Sequence, residues 1–146
     1  MNRRTLLKLS AAALTGSSVT AQPAALRVAR LEDFAALWDF KEFEFNSQPA
    51  FALRVPAPRS DLARARVLEV EPGFYLLSVL RECSHNGCAV TWSSAASSER
   101  EFVCHCHGSF FRAVDGERIA GIAPLPLTAV QLERRGDEVF ALRLIT

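Results

Sequence analysis

The sequence lacks a long apolar run, and that bears first on the membrane. Spanning a bilayer as a helix takes about 20 largely apolar residues. The mildly apolar stretch Leu9–Leu26 has 18, diluted by Ser10, Thr15, Gly16, Ser17, Ser18, Thr20, Gln22 and Pro23, so no stable span is predicted there. There is no internal repeat, no low-complexity tract and no heptad pattern, which excludes solenoid and coiled-coil architectures. A basic stripe is also missing. The formal charge is +1, and residues 1–21 hold three of the cations (Arg3, Arg4, Lys8) and no acid, so the remainder stands at −2. Nucleic acid and anionic membrane surfaces are thereby poor partners. Histidine is scarce at three residues and cysteine at four.

What is present is concentrated. "RECSHNGCAV" (81–90) and "FVCHCHGSFF" (102–111) contain every cysteine and every histidine of the 146 residues. Such a length supports one ordinary domain. Arg3 and Arg4, followed by Leu6, Leu7 and Lys8, resemble a twin-arginine export signal, and Val19, Thr20 and Ala21 offer small residues for cleavage. The expected division is a signal at 1–21 and a mature domain at 22–146. Four cysteines in a small exported protein would ordinarily suggest two disulfides; the interleaved histidines argue for a metal instead.

Short apolar runs alternate with turn signals along the rest. Phe40–Phe45, Phe51–Val55, "RVLEV", "FYLLSVL", "LPLTAVQLE" and "EVFALRLI" read as strands, with turns at Asn46–Pro49, Glu71–Gly73 and Arg134–Asp137. "LEDFAALWDF" is the helix candidate, one or two turns long. The pattern predicts an all-β sandwich or barrel with both boxes in loops at one end of a rigid sheet. Trp38, Phe40, Phe43, Phe45 and Phe51 are expected in the core, and "ERE" (99–101) as a solvated strand entry.

As spacings, the boxes are Cys83-x-His85-x-Gly87-Cys88 and Cys104-x-Cys106-His107-Gly108-Ser109. This pair resembles the Rieske iron–sulfur family, most strongly from Cys83 to Phe111, and "GIAPLPL" (121–127) is similar to that family's proline-rich loop beside the cluster. The resemblance implies an antiparallel β-sandwich or barrel with a small cluster-binding subdomain of two loops at about 80–127. It also implies one 2Fe–2S cluster, with Cys83 and Cys104 as thiolate ligands and His85 and His107 as imidazole ligands, and a disulfide between Cys88 and Cys106. Two neutral imidazoles in place of two thiolates make the site less negative, which places such centres at roughly −150 to +300 mV against about −400 mV for plant-type ferredoxins.

Zinc also takes two Cys and two His, but usually as C-x₂₋₄-C with H-x₃₋₅-H, whereas each box here mixes one ligand of each kind. The resemblance further gives Ser109, next to Gly108, a hydroxyl bond to a bridging sulfide. Phe111 stands where quinol-oxidising members have a tyrosine donating to a ligand sulfur. Asn86 replaces a covering leucine and His105 a proline; His105 is expected to face solvent. The function so implied is one-electron transfer by an exported carrier or small subunit, not an enzyme alone. Its redox partner would be an oxidoreductase large subunit or a cytochrome, with no nucleic acid and with membrane association left open. The alternatives are a Rieske subunit of a cytochrome bc-type quinol oxidoreductase and a zinc-stabilised binding module.

Overall fold

A computed structural model describes residues 24–93 and 100–145. The predicted export signal and its cleavage site lie outside them. Strand-forming runs bounded by turns dominate, as expected. They are β1 (Leu26–Arg30), β2 (Phe40–Phe45), β3 (Gln48–Val55), β4 (Leu68–Glu71), β5 (Phe74–Leu80), β6 (Thr91–Ser93), β7 (Glu101–Cys104), β8 (Ser109–Arg112), β9 (Arg118–Ala120), β10 (Ala129–Arg135) and β11 (Glu138–Ile145).

These make two antiparallel sheets. The larger runs β1-β11-β10-β5-β3-β2, with β4 added to β5, and it nearly closes because β1 and β2 also touch. The smaller runs β6-β7-β8-β9 and is inserted in the chain between β5 and β10. The expected cluster-binding part is therefore more than two loops: a four-stranded sheet carries them.

Alternation along β3 and β5 explains why the two lobes hold together. Ala50, Ala52, Leu76 and Leu80 face the interior of the larger sheet with Phe34 and Val139. Phe51, Leu53, Leu77 and Val79 face the other way and pack on Phe102, Phe111 and Leu127. Both faces of the central strands are thus buried, and an adjacent-residue slip would exchange one core for the other. Phe51 stacks on Phe102 with centroids 5.4 Å apart and planes 10° apart, a pair worth about 0.5–1.5 kcal/mol beyond the area it buries.

Local departures have local causes. The helix candidate shrinks to a 3₁₀ turn at Leu31–Phe34, because Trp38 takes φ 74° in a turn that closes between Ala36 and Asp39. A short helix the sequence reading missed, α1 (Asp61–Arg66), starts at Ser60, whose Oγ accepts from the Ala63 N–H at 3.0 Å. Six residues were too few to show a helical period; the serine cap was the available signal. The β2–β3 turn is tighter than Asn46–Pro49: Asn46 and Ser47 form it with φ 51° and 64°, and Pro49 already lies in β3. Phe45 and Phe51 are core as expected, Phe43 and Trp38 are half-buried, and Phe40 is 41% exposed, lying edge-on against Phe51. Of "ERE", Glu99 is outside the described residues and Glu101 opens β7 half-buried.

Candidate metal centre

Both boxes are built from the same turn. Box one leaves β5 at Arg81, whose N–H donates to the Pro49 carbonyl at 2.8 Å and whose carbonyl accepts from Val90 at 3.0 Å. Inside it the Gly87 N–H donates to the Cys83 carbonyl at 2.9 Å, and the Cys83 N–H to the Cys88 carbonyl at 2.8 Å. Box two is the β7–β8 hairpin, in which the Gly108 N–H donates to the Cys104 carbonyl at 3.1 Å. A glycine thus stands four residues after the first cysteine of each box, with φ 72° at Gly87 and 69° at Gly108. That left-handed conformation is open to glycine at little steric cost.

The turns bring the two free cysteines together and, separately, the two histidines. Cys83 and Cys104 are unbridged and each 2% exposed, in the core shared with Phe102 and Phe111. Burial pushes the Cys83 thiol up; the His85 N–H pointing at its sulfur pulls the other way, the neighbouring Cys104 sulfur raises it further, and the Asn86 N–H lowers it. Backbone donors trained on a sulfur favour a thiolate, and the remaining burial cost is the kind a bound cation offsets. His85 and His107 meet edge to face with ring centroids 4.7 Å apart. The His85 Nδ1 atom is buried with no hydrogen-bond partner, a cost of about 1–3 kcal/mol if nothing binds it. Two buried thiols and a partnerless imidazole nitrogen beside a second imidazole fit a metal group with mixed sulfur and nitrogen ligands.

Cys88 and Cys106 are joined by a disulfide with Cα atoms 6.5 Å apart, so the pairing implied by resemblance is present. The sulfurs of Cys88, Cys104 and Cys106 lie within 4.8 Å of one another. Two of them are bonded together, so this proximity reflects a disulfide lying against a free thiol and not a three-sulfur ligand set. His105 is exposed, with Nε2 3.1 Å from the Thr91 hydroxyl, consistent with its expected solvent-facing place.

The 121–127 loop is fastened to both boxes. The Ser84 hydroxyl donates to the Leu125 carbonyl at 2.6 Å and accepts from the Leu125 N–H at 3.2 Å. From box two, the Ser109 hydroxyl accepts from the Ala123 N–H at 3.1 Å, leaving its own proton to be donated elsewhere. Ser109 and Phe111 are buried on the same face of β8, beside Cys104 and Phe102 of β7. Sequence reading found Ser109 but passed over Ser84, although its place between Cys83 and His85 was a usable signal.

Gly121 is the tightest point of this contact. It has φ 91°, and a Cβ there would sit 2.5 Å from the Ser109 Cα, so backbone would have to move. Gly121→Ala is expected to lift the loop from Ser109 and to cost about 1–3 kcal/mol from backbone strain alone. Calorimetry of the purified variant checks it; an unchanged melting temperature would contradict the close approach.

No family model matches the chain. Among curated proteins it is similar to the cytochrome b6-f complex iron–sulfur subunit 1 of Synechocystis sp., 38% identical over 64 residues, which cover 44% of this chain and 34% of that protein. The corresponding subunit of Prochlorococcus marinus (strain MIT 9211) is 40% identical over 58 residues, 40% of this chain and 30% of that one. The chain therefore spans about a third of the length of these curated relatives. Among solved structures, the plasma membrane Rieske protein of Synechocystis PCC 6803 superposes with a TM-score of 0.55 at 25% identity, over 80% of this chain and 97% of that one. The soluble domain of Rieske protein II from Sulfolobus acidocaldarius gives 0.65 at 19% identity, over 86% and 80%, a likeness of fold. Fold and paired boxes together give a β domain whose two cysteine- and histidine-bearing turns lie side by side, joined by a disulfide. It is similar to the cytochrome b6-f iron–sulfur subunits over about 60 residues and to solved Rieske proteins in fold.

Proposed function

We propose that this protein moves single electrons, as an exported carrier or as the small subunit of a periplasmic oxidoreductase. In this reading Cys83 and Cys104 hold one iron of a 2Fe–2S cluster and His85 and His107 the other. The observation that carries it is the pair of buried free thiols in the same two turns as the partnerless His85 Nδ1 and the His107 ring against it. The cluster, when bound, supplies a centre that accepts one electron at a time. The chain's own residues do the rest. Burial of Cys83 and Cys104 keeps water from the sulfurs, the disulfide holds the two boxes together, and the exposed His107 ring offers an edge through which an electron can leave. Ile122 and Leu125, 57% and 63% exposed on the fastened loop, give the same end an apolar rim for a redox partner such as a large subunit or a cytochrome.

The names of the curated relatives favour a second reading, a subunit of a quinol-oxidising cytochrome complex. Phe111 weighs against it, since no hydroxyl stands there. Export by a twin-arginine route suits either, because that route carries folded proteins with cofactors already in place. Visible absorption and electron paramagnetic resonance of the reduced, full-length protein test the proposal. A colourless protein containing one zinc ion would replace it with the structural-zinc alternative.

Phe111 also gives a quantitative test of tuning. Its ring is fully buried in the core that contains Cys83 and Cys104, so a hydroxyl added there must find a partner or remain unsatisfied. A ligand sulfur is the acceptor expected from the resemblance, and a donor to sulfur favours the more negative, reduced state. A hydrogen bond to a charged group is worth about 1.5–3 kcal/mol, of which only the difference between states counts. For one electron about 1 kcal/mol is roughly 40 mV. Phe111→Tyr is expected to raise the midpoint potential by some tens of millivolts; voltammetry showing no rise, with the hydroxyl placed against the sulfur, would refute the account.

A further inference from the structure

The 121–127 loop beside the boxes has a third fastening, and it comes from outside the smaller sheet. Arg66 is the last residue of α1 and is 8% exposed. Its Nη1 donates to the Leu127 carbonyl at 2.7 Å and to the Asp115 carbonyl at 2.9 Å. Leu127 is the root of the loop and Asp115 lies in the turn after β8, so one side chain binds two separate segments. The two segments are also bonded directly, the Leu127 N–H donating to the Gly116 carbonyl at 2.9 Å.

The surroundings hold the guanidinium in this place. Asp115 is 1% exposed; its carboxylate accepts from Arg112 at 2.8 Å, from the Glu117 N–H at 2.9 Å and from the Ser60 hydroxyl at 3.3 Å. Ser60 is the cap of α1, so both ends of that helix are fixed to the turn after β8. A Cβ at Gly116 would come within 3.2 Å of the Arg66 Nη1, which leaves little space for another side chain there. Burying a guanidinium is costly, and an apolar residue would fill the same volume without that cost. What an apolar residue cannot do is donate to two carbonyls.

We propose that Arg66 is a positioning residue for the metal centre: it fixes the root of the 121–127 loop and, through the Ala123 N–H, the orientation of the Ser109 hydroxyl. The path is short and each step is a hydrogen bond or a stretch of chain. Arg66 holds Leu127, the loop runs back to Ala123, and Ala123 donates to Ser109. With its oxygen engaged, Ser109 has its proton free for a sulfide of the cluster. The effect on potential rests on the electron-transfer reading above; the tether itself does not.

The test uses Arg66→Met and Arg66→Lys in the full chain, with Val139→Ala in the other core as a control for general destabilisation. Hydrogen exchange of the peptide covering 121–127 is expected to quicken at least tenfold in Arg66→Met and less in Arg66→Lys, which keeps the charge and can bond one carbonyl. Val139→Ala should lower the melting temperature without singling out that peptide. Arg66→Met should also lower the midpoint potential, and the shift should vanish in a Ser109→Ala background, because a lost orientation cannot be lost twice. Unchanged exchange of the loop, or a shift of equal size with and without Ser109, would overturn the proposal. If the unsubstituted protein shows no cluster signal, the electron-transfer reading fails and exchange alone decides the tether. Should Arg66→Met not fold, Arg66→Lys carries the same comparisons.

Discussion

Replacing any one of Cys83, His85, Cys104 or His107 by Ala is expected to abolish the visible spectrum of the cluster. In the proposed ligand set each side chain would fill one coordination position, and neither box holds a spare of the same kind at the right offset. The four substitutions differ in what they do to the fold, and the difference makes the test clean. Cys83 and Cys104 are buried among Phe102 and Phe111, so their loss leaves a small void as well as a missing ligand. His107 is exposed, and its removal takes nothing from the core. His107→Ala should therefore keep native circular dichroism while losing colour. A variant that keeps both would pass the ligand role to His105, whose ring stands beside Thr91, and would break the assignment. Reloading the cluster-free protein with metal should weaken as pH falls, since the Cys83 thiol is held above its ordinary value by burial and must release a proton to bind.

How much of this could be read from the chain depends on the kind of constraint involved. The boxes were legible because coordination chemistry demands particular residues at fixed offsets, and local turns deliver them: Gly87 and Gly108 sit where the sequence shows them. The strands were legible because period-two burial leaves a period-two pattern, as in β10, where Val130 and Leu132 are buried and Gln131 and Glu133 only half-buried. Contacts between segments distant in sequence left weaker traces. Arg66 and Leu127 are 61 residues apart, and nothing about "DLARAR" announces a loop it will hold. Phe40 looked like core because aromatics in strands usually are, but β2 is the edge of its sheet and the ring lies at the rim. The closure of Gly121 on Ser109 likewise needs the third dimension: in sequence it is one glycine in a proline-rich loop.

Removing the disulfide is the other change with a large expected effect, and its size should depend on whether the cluster is present. Cys88 and Cys106 are separated by 18 positions, and closing a loop of about that length restricts the unfolded chain by roughly 3 kcal/mol. In the cluster-free protein nothing else covalent joins the boxes, so Cys88→Ser with Cys106→Ser should lose most of that amount. With a cluster bound by the proposed ligands, Cys83 and His85 in one box and Cys104 and His107 in the other would already be tied together. The second link is then partly redundant, and the equilibrium effect should shrink. The kinetic effect should not shrink in the same way, because release of a cluster requires the boxes to part and the disulfide limits how far they do so. The double variant is thus expected to assemble a cluster with an ordinary spectrum but to bleach several-fold faster on warming. Parallel melts of the cluster-free and cluster-bound forms, with bleaching followed at a fixed temperature, separate the two effects. Equal destabilisation of both forms would mean that the cluster does not bridge the boxes, and mass spectrometry finding both thiols free in the purified protein would remove the disulfide from the account altogether.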